Sequence, residues 1–179
     1  MVKLQRAAIA LAIALLASGS GSLSAQEPTV PDWMEVDHDA QTVSMEIVAG
    51  STDENRAWNF NGYFDGSAEI IVPEGYEVTI EFVNEDTQNP HSLGIGEPQD
   101  TYPPDVDPTP VFDGAVTRGA TSKARATQSG QSETITFTAE AEGEYAMICY
   151  IQMHAAMGMW TYFTVSPDDA VGVVETGAS

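Results

Sequence analysis

Cysteine is nearly absent: the 179-residue chain holds one, Cys149. No internal disulfide can form. A Cys₄ zinc site, an iron–sulfur cluster held by four thiolates and a two-cysteine copper centre are excluded as well. Histidine is scarce, with only His38, His91 and His154, too few for a multicopper oxidase. Basic residues number 6 against 27 acidic ones, for a formal net charge of −21. Phosphate recognition needs clustered Lys and Arg, so a nucleic-acid partner is excluded. Beyond residue 25 no long apolar stripe of helical period occurs. What is present is an ordinary apolar share of 42%, enough for a packed core and too high for a wholly disordered chain. The length fits one domain with an extra segment.

That extra segment is read at the N-terminus. Lys3 and Arg6 form a basic start, Ala7 to Ala17 is apolar, and small residues lead to Ala25. This is the signal-peptide pattern, and the apolar run is short for a membrane span. Residues 1–25 are therefore expected to be a signal peptide cut before Gln26, with a periplasmic or extracellular mature chain that is soluble after cleavage. The rival is an uncleaved membrane anchor. No twin arginine is present, and no cysteine is placed for a lipid anchor. Beyond residue 25 the basic residues are Arg56, Arg118, Lys123 and Arg125. Two readings of this acidity compete: adaptation to a salty medium, and docking to a basic redox partner. A uniform acid excess favours the first, because a docking patch needs only a few charges.

Residues 26–40 are polar and carry Pro28 and Pro31, so they are expected to form an N-terminal arm. Short runs of strand character follow. Val43, Met45 and Ile47 alternate with polar residues, as do Tyr76, Val78, Ile80 and Phe82, and Ile135 with Phe137. Trp58 to Phe64, Ala68 to Val72, Tyr145 to Cys149 and Trp160 to Val165 are rich in aromatic and β-branched residues. Seven or so short strands separated by turn chemistry, such as Pro73-Glu74-Gly75, predict an all-β sandwich or barrel over 41–166. Residues 97–131 break the rhythm with Pro98, Pro103, Pro104, Pro108 and Pro110 and then a Gly/Ser/Thr/Ala-rich stretch. They are expected to be a long surface connection, with a flap or docking element as the alternative and Val111 to Thr117 as one further strand. Residues 167–179 are expected to be a flexible tail.

The informative segment runs from Cys149 through His154 to Met159. A thiolate, an imidazole and a thioether recur at five-residue intervals between two predicted strands. His91, in Asn89-Pro90-His91-Ser92, follows another strand. Two histidines, one cysteine and one methionine form the donor set of a type 1 (blue) copper centre, with a His₂Cys plane and a weak axial thioether. The soft thiolate suits both copper oxidation states, and a site that both states share moves little on electron transfer. His38 is the rival imidazole, but it sits in the polar arm and is expected to be solvated. Met153 and Met157 compete with Met159 for the axial place. The methionines not used there are expected to join Ile151 and Trp160 as apolar cover. Tyr150 and Trp160 are read as core residues.

Cys-x₄-His-x₄-Met, enclosing His154-Ala155-Ala156-Met157-Gly158-Met159, resembles the ligand loop of rusticyanin and sulfocyanin, which are small blue-copper proteins (cupredoxins). Trp58-Asn59-Phe60-Asn61-Gly62 is similar to the aromatic-Asn-Phe-Asn-Gly run of sulfocyanins. The resemblance implies a cupredoxin-like Greek-key β-sandwich and one copper ion held by His91, Cys149, His154 and Met159. It also implies one-electron transfer outside the cytoplasm with no bond chemistry. Ser92 is similar to rusticyanin at a position where many relatives carry Asn. Gln152-Met153 departs from the Pro-Gly that the family often has before the second histidine. The chain is thus expected to be an electron carrier and not an enzyme. Its partners would be redox proteins of cytochrome or terminal-oxidase type, and its potential high. The alternative is a periplasmic copper-binding chaperone or storage protein, to which the methionine cluster gives some footing.

Overall fold

A computed structural model describes residues 26–177; residues 1–25, expected above to be a signal peptide, lie outside the described residues. Nine strands form two sheets. Strands β1 (Met34–Asp37), β2 (Thr42–Ala49), β4 (Glu77–Asn84) and β6 (Ser132–Thr138) make one sheet, in the order β1-β2-β4-β6. Strands β5 (Gly94–Gly96), β7 (Gly143–Ile148), β8 (Trp160–Ser166), β3 (Ala68–Pro73) and β9 (Gly172–Glu175) make the other, in the order β5-β7-β8-β3-β9. Two pairings, β2 with β4 and β3 with β8, are parallel; the rest are antiparallel. The chain passes repeatedly from one sheet to the other, so residues far apart in sequence become neighbours. No α-helix occurs among the described residues. The architecture is the all-β, cupredoxin-like Greek-key sandwich that the strand pattern and the resemblance imply.

Alternation explains the core. On β4, Val78, Ile80 and Phe82 are buried while Glu77 and Glu81 are exposed. Strand β2 buries Val43, Met45, Ile47 and Ala49 in the same way. A period of two places one set of side chains between the sheets and the other in solvent. Aromatic contacts knit the layers: Phe60 meets Phe82 with centroids 6.2 Å apart, and Phe137 meets Phe163 at 6.1 Å. On the solvent face Glu46 of β2 lies in register with Glu81 of β4. Like charges side by side destabilise a sheet, so acidity spreads over the sandwich at some expense of stability.

Four expectations need correction. The arm is not wholly outside the sandwich, because Met34–Asp37 pairs with β2 and Met34 is buried. The tail is ordered over Gly172–Glu175, where β9 pairs with β3 and Val173 enters the core. Arm and tail also meet: Thr29 N donates to Val173 O at 3.0 Å and Val173 N to Thr29 O at 2.8 Å. Trp58 to Phe64 is a loop and not a strand. The Asn59 side chain accepts from Gly62 N and donates to the Thr52 and Glu54 carbonyls, while Asn61 and Gly62 take positive φ. Such side-chain bonds offer the backbone an alternative to a ladder. Val111 to Thr117 is likewise not a named strand, although Ile95 N donates to Ala115 O and Thr117 N to Leu93 O.

No named strand lies between Gly96 and Ser132. This connection nevertheless packs closely. Tyr102 and Ala120 join Ala146, Ile148 and Tyr150 in a second apolar cluster on the outer face of the second sheet. Gly94 makes room for it: a Cβ there would stand 2.8 Å from the Tyr150 ring and 3.0 Å from Ala115 O.

Candidate metal centre

Two loops at one end of the sandwich carry the donors. The first leaves β4 at Asn84. The Asn84 Nδ2 donates to Asn89 O and Thr127 O, both at 2.9 Å. Asp86 then organises the turn by accepting from Gln88 N at 2.8 Å and from Asn89 Nδ2 at 2.9 Å. His91 follows, locked by two backbone hydrogen bonds with Thr127, each 3.1 Å. The second loop starts where β7 ends. Cys149 N donates to Met159 O at 3.1 Å and Met159 N to His154 O at 2.9 Å, which closes the loop on itself. Inside it Ala155–Met157 form a single 3₁₀ turn that ends at Gly158, whose φ of +92° glycine adopts without penalty.

These loops bring three donors to one point. Cys149 Sγ lies 3.4 Å from His154 Nδ1 and 3.8 Å from His91 Nδ1, and the two Nδ1 atoms are 3.2 Å apart. All three residues are buried, at 0%, 3% and 0% exposure for Cys149, His154 and His91. Donors bound at about 2.0–2.3 Å around a trigonal ion stand about 3.5–3.8 Å from one another; the observed 3.2, 3.4 and 3.8 Å are close to that spacing, two of them slightly tighter. Among the described residues this is the one group of three such ligating side chains. Met159 is fully buried, and its backbone joins both other ends of the loop.

The surroundings set the protonation of the donors. The His91 Nε2 donates to Asp86 Oδ2 at 2.9 Å, which leaves a lone pair on Nδ1. Burial pulls the His91 pKa down, although Asp86 opposes it. Burial would raise the Asp86 carboxyl, but hydrogen bonds from Asn89, Gln88 and His91 outweigh it and bring its pKa below the ordinary value. Burial, then repulsion from His91 and Lys123, brings His154 down to about 3. Burial pushes the Cys149 thiol up to about 11. Without a metal the cluster is therefore neutral, with two unprotonated imidazoles and a thiol. A cation is the one partner that would use all three lone pairs at once. Ser92 N also points at Cys149 Sγ, at 3.5 Å, while Ser92 Oγ accepts from Tyr150 N at 2.9 Å.

Of the expected ligands, the structure brings the donor atoms of His91, Cys149 and His154 together and holds the Met159 backbone against Cys149 and His154, and it leaves His38 apart. His38 is exposed and bonded to Tyr76 Oη at 3.0 Å. The cover differs from expectation. Met153 and Met157 are 41% and 37% exposed and do not seal the site, because the turn directs His154 and Ala155 inward and those two outward. Ile151, at 1% exposure, and Trp58 take that part. The Trp58 ring stacks on His154, with centroids 4.0 Å apart and planes 20° from parallel. A left-handed turn at Asn55, Arg56 and Ala57 delivers Trp58, and Asn55 Nδ2 ties it by donating to Trp58 O and Met157 O. Asp86 was missed altogether. Its one sequence signal is an Asp three residues before Asn89-Pro90, the pattern of a side-chain-capped turn.

The profile of the sulfocyanin (SoxE) domain matches residues 31–173. The chain belongs to the sulfocyanin family. It is 31% identical over 131 residues to a sulfocyanin of Sulfolobus acidocaldarius, covering 70% of this chain; it spans 64% of that curated relative's length. Auracyanin B shares the fold with a TM-score of 0.52 and 22% identity, over 74% of this chain and 94% of that one. Reduced rusticyanin does so with a TM-score of 0.50 and 21% identity, over 75% and 86%. Membership makes the sandwich a blue-copper cupredoxin, and copper the metal that the buried donor cluster fits.

Proposed function

We propose that this chain is an exported one-electron carrier, periplasmic or extracellular, that works through a type 1 copper centre ligated by His91, Cys149, His154 and Met159. The convergence of one thiol and two imidazole lone pairs in a buried cluster carries this reading. When bound, copper supplies the one-electron couple between Cu(II) and Cu(I). The chain supplies the rest. Asp86 fixes the His91 ring and directs its Nδ1 inward. Trp58 holds the His154 ring flat against it. The backbone bonds between Cys149, His154 and Met159 keep the loop in one shape for both oxidation states, which keeps reorganisation small. Burial excludes water and disfavours the extra charge of Cu(II), which supports a high potential.

Electron exchange is assigned to the His154 side, where the ligand loop reaches the surface. The partners would be redox proteins of cytochrome or terminal-oxidase type, and a basic face on them would suit the acidic surface. The burial of every donor speaks against the storage reading, which requires ready release. No helix among the described residues is long and apolar enough to cross a membrane.

Adding Cu(II) to the purified protein is the direct test. An intense thiolate-to-copper absorption band is expected, and Cys149→Ala should lose it completely. Copper bound without that band would take Cys149 off the metal and end the electron-carrier reading. Met159→Gln tests the axial assignment by voltammetry. A harder oxygen ligand favours Cu(II), so the potential should fall; an equal or higher potential would remove Met159 from the site.

A further inference from the structure

With donors 0–3% exposed, a metal ion has to cross the surface of the ligand loop to reach them. Two thioethers stand on that surface. Met153 and Met157 are two of the four large apolar side chains exposed among the described residues, the others being Val30 and Tyr162. Met157 N donates to Met153 O at 3.0 Å, so the two residues close one turn of the ligand loop, and both side chains are exposed there. His154, next to Met153 in the chain, is turned inward and buried. Met153 also has a φ of +74°. A residue with a Cβ pays about 1–2 kcal/mol for that left-handed backbone, which glycine adopts freely. A long-range contact holds it there: Met153 N donates to Pro104 O at 2.7 Å, and the side chain is left 41% exposed.

Thioether sulfur is a soft donor that selects Cu(I) over harder cations. The formal net charge of −21 draws cations to the surface generally; the sulfurs add selectivity at one place. We propose that Met153 and Met157 form a surface capture site for Cu(I) that loads the buried centre. The proposal rests on the copper reading above. The step is a ligand exchange with no change of oxidation state. The two thioether contacts to Cu(I) break, bonds from the His154 and His91 nitrogens and the Cys149 sulfur form, and the Cys149 thiol proton leaves to water.

The test uses the full metal-free protein and Cu(I) held by the chromogenic chelator bicinchoninate, and follows the loss of chelator colour as Cu(I) transfers. Met153→Leu with Met157→Leu keeps the apolar volume and removes both sulfurs. Uptake of Cu(I) by this double variant is expected to slow by about fivefold or more, because the soft donors are gone. Its uptake of aqueous Cu(II) and its thiolate absorption band should match the unaltered protein. Met153→Gly should also slow Cu(I) uptake while raising the thermal midpoint, since it relieves the backbone. Equal Cu(I) rates in all three proteins would overturn the proposal. Equal slowing for Cu(I) and Cu(II) would also overturn it, by pointing to a general distortion of the loop. If the unaltered protein takes up Cu(II) without the thiolate band, the copper-centre reading itself fails, and that failure is seen apart from the Cu(I) rates.

Discussion

Replacing Asp86 by Ala is expected to weaken Cu(II) binding by about 10–100-fold, the usual consequence of removing the group that orients a ligating histidine. The carboxylate is 5% exposed and accepts from Gln88 N, Asn89 N, Asn89 Nδ2 and His91 Nε2. It therefore does two things at once. It builds the turn that carries His91, and it selects the tautomer that leaves Nδ1 free. Truncation leaves four donors without their acceptor, so stability should also fall, by about 1–3 kcal/mol. Asp86→Asn separates the two roles, because an amide oxygen can still accept from His91 Nε2 while its NH₂ group faces the donors of the turn. Competition against a chelator at a denaturant-free pH of about 7 gives the affinity, and urea unfolding gives the stability. A folded Ala variant that binds Cu(II) as tightly as the unaltered protein would show that His91 is oriented by its bonds to Thr127 alone.

Acid should destabilise the metal-free protein well before its carboxylates are neutralised. An unfolded histidine takes up a proton near pH 6.5, whereas folded His154 does so only at about 3, chiefly because it is buried. Burial lowers the His91 pKa in the same sense. Between those two limits the unfolded chain binds more protons than the folded one, so stability rises with pH and is lost as pH falls below 6.5. Each imidazole held neutral contributes a slope of about 1.4 kcal/mol per pH unit where it is neutral in the fold and charged outside it. At the alkaline end the sign reverses. The Cys149 thiol is raised from 9.0 to about 11 by burial, so the folded chain keeps a proton that the unfolded chain has lost, and stability declines as pH climbs from 9 to 11. The metal-free protein should therefore be most stable between about pH 6.5 and 9. Carboxylate repulsion relaxes over the acid range, so urea midpoints should be measured at about 1 M salt, where the Debye length is about 3 Å. The difference from His154→Gln then isolates the imidazole. Parallel pH profiles for the two proteins would mean that His154 is not held neutral by its surroundings.

The donor types and their order were legible along the chain because metal chemistry constrains residue identity. One cysteine, with a histidine five residues on and a methionine ten residues on, leaves few other uses for that set. The alternation of Val78, Ile80 and Phe82 with polar neighbours made the sandwich legible too, since a period of two admits no helix. Strand edges were harder to read. Met34–Asp37 and Gly172–Glu175 carry weak patterns of their own and become strands only because β2 and β3 offer them partners.

Residue order alone carries the fold class and the donor set of a copper centre. The tertiary structure decided what surrounds those donors. Asp86 meets His91, Trp58 covers His154, and Met153 and Met157 face solvent because turns and cross-sheet packing set those directions. A left-handed turn at Asn55 to Ala57, or a positive φ at Met153, follows from no local preference. Such conformations exist because long-range contacts outweigh local cost, and long-range contacts are what a linear pattern does not encode locally.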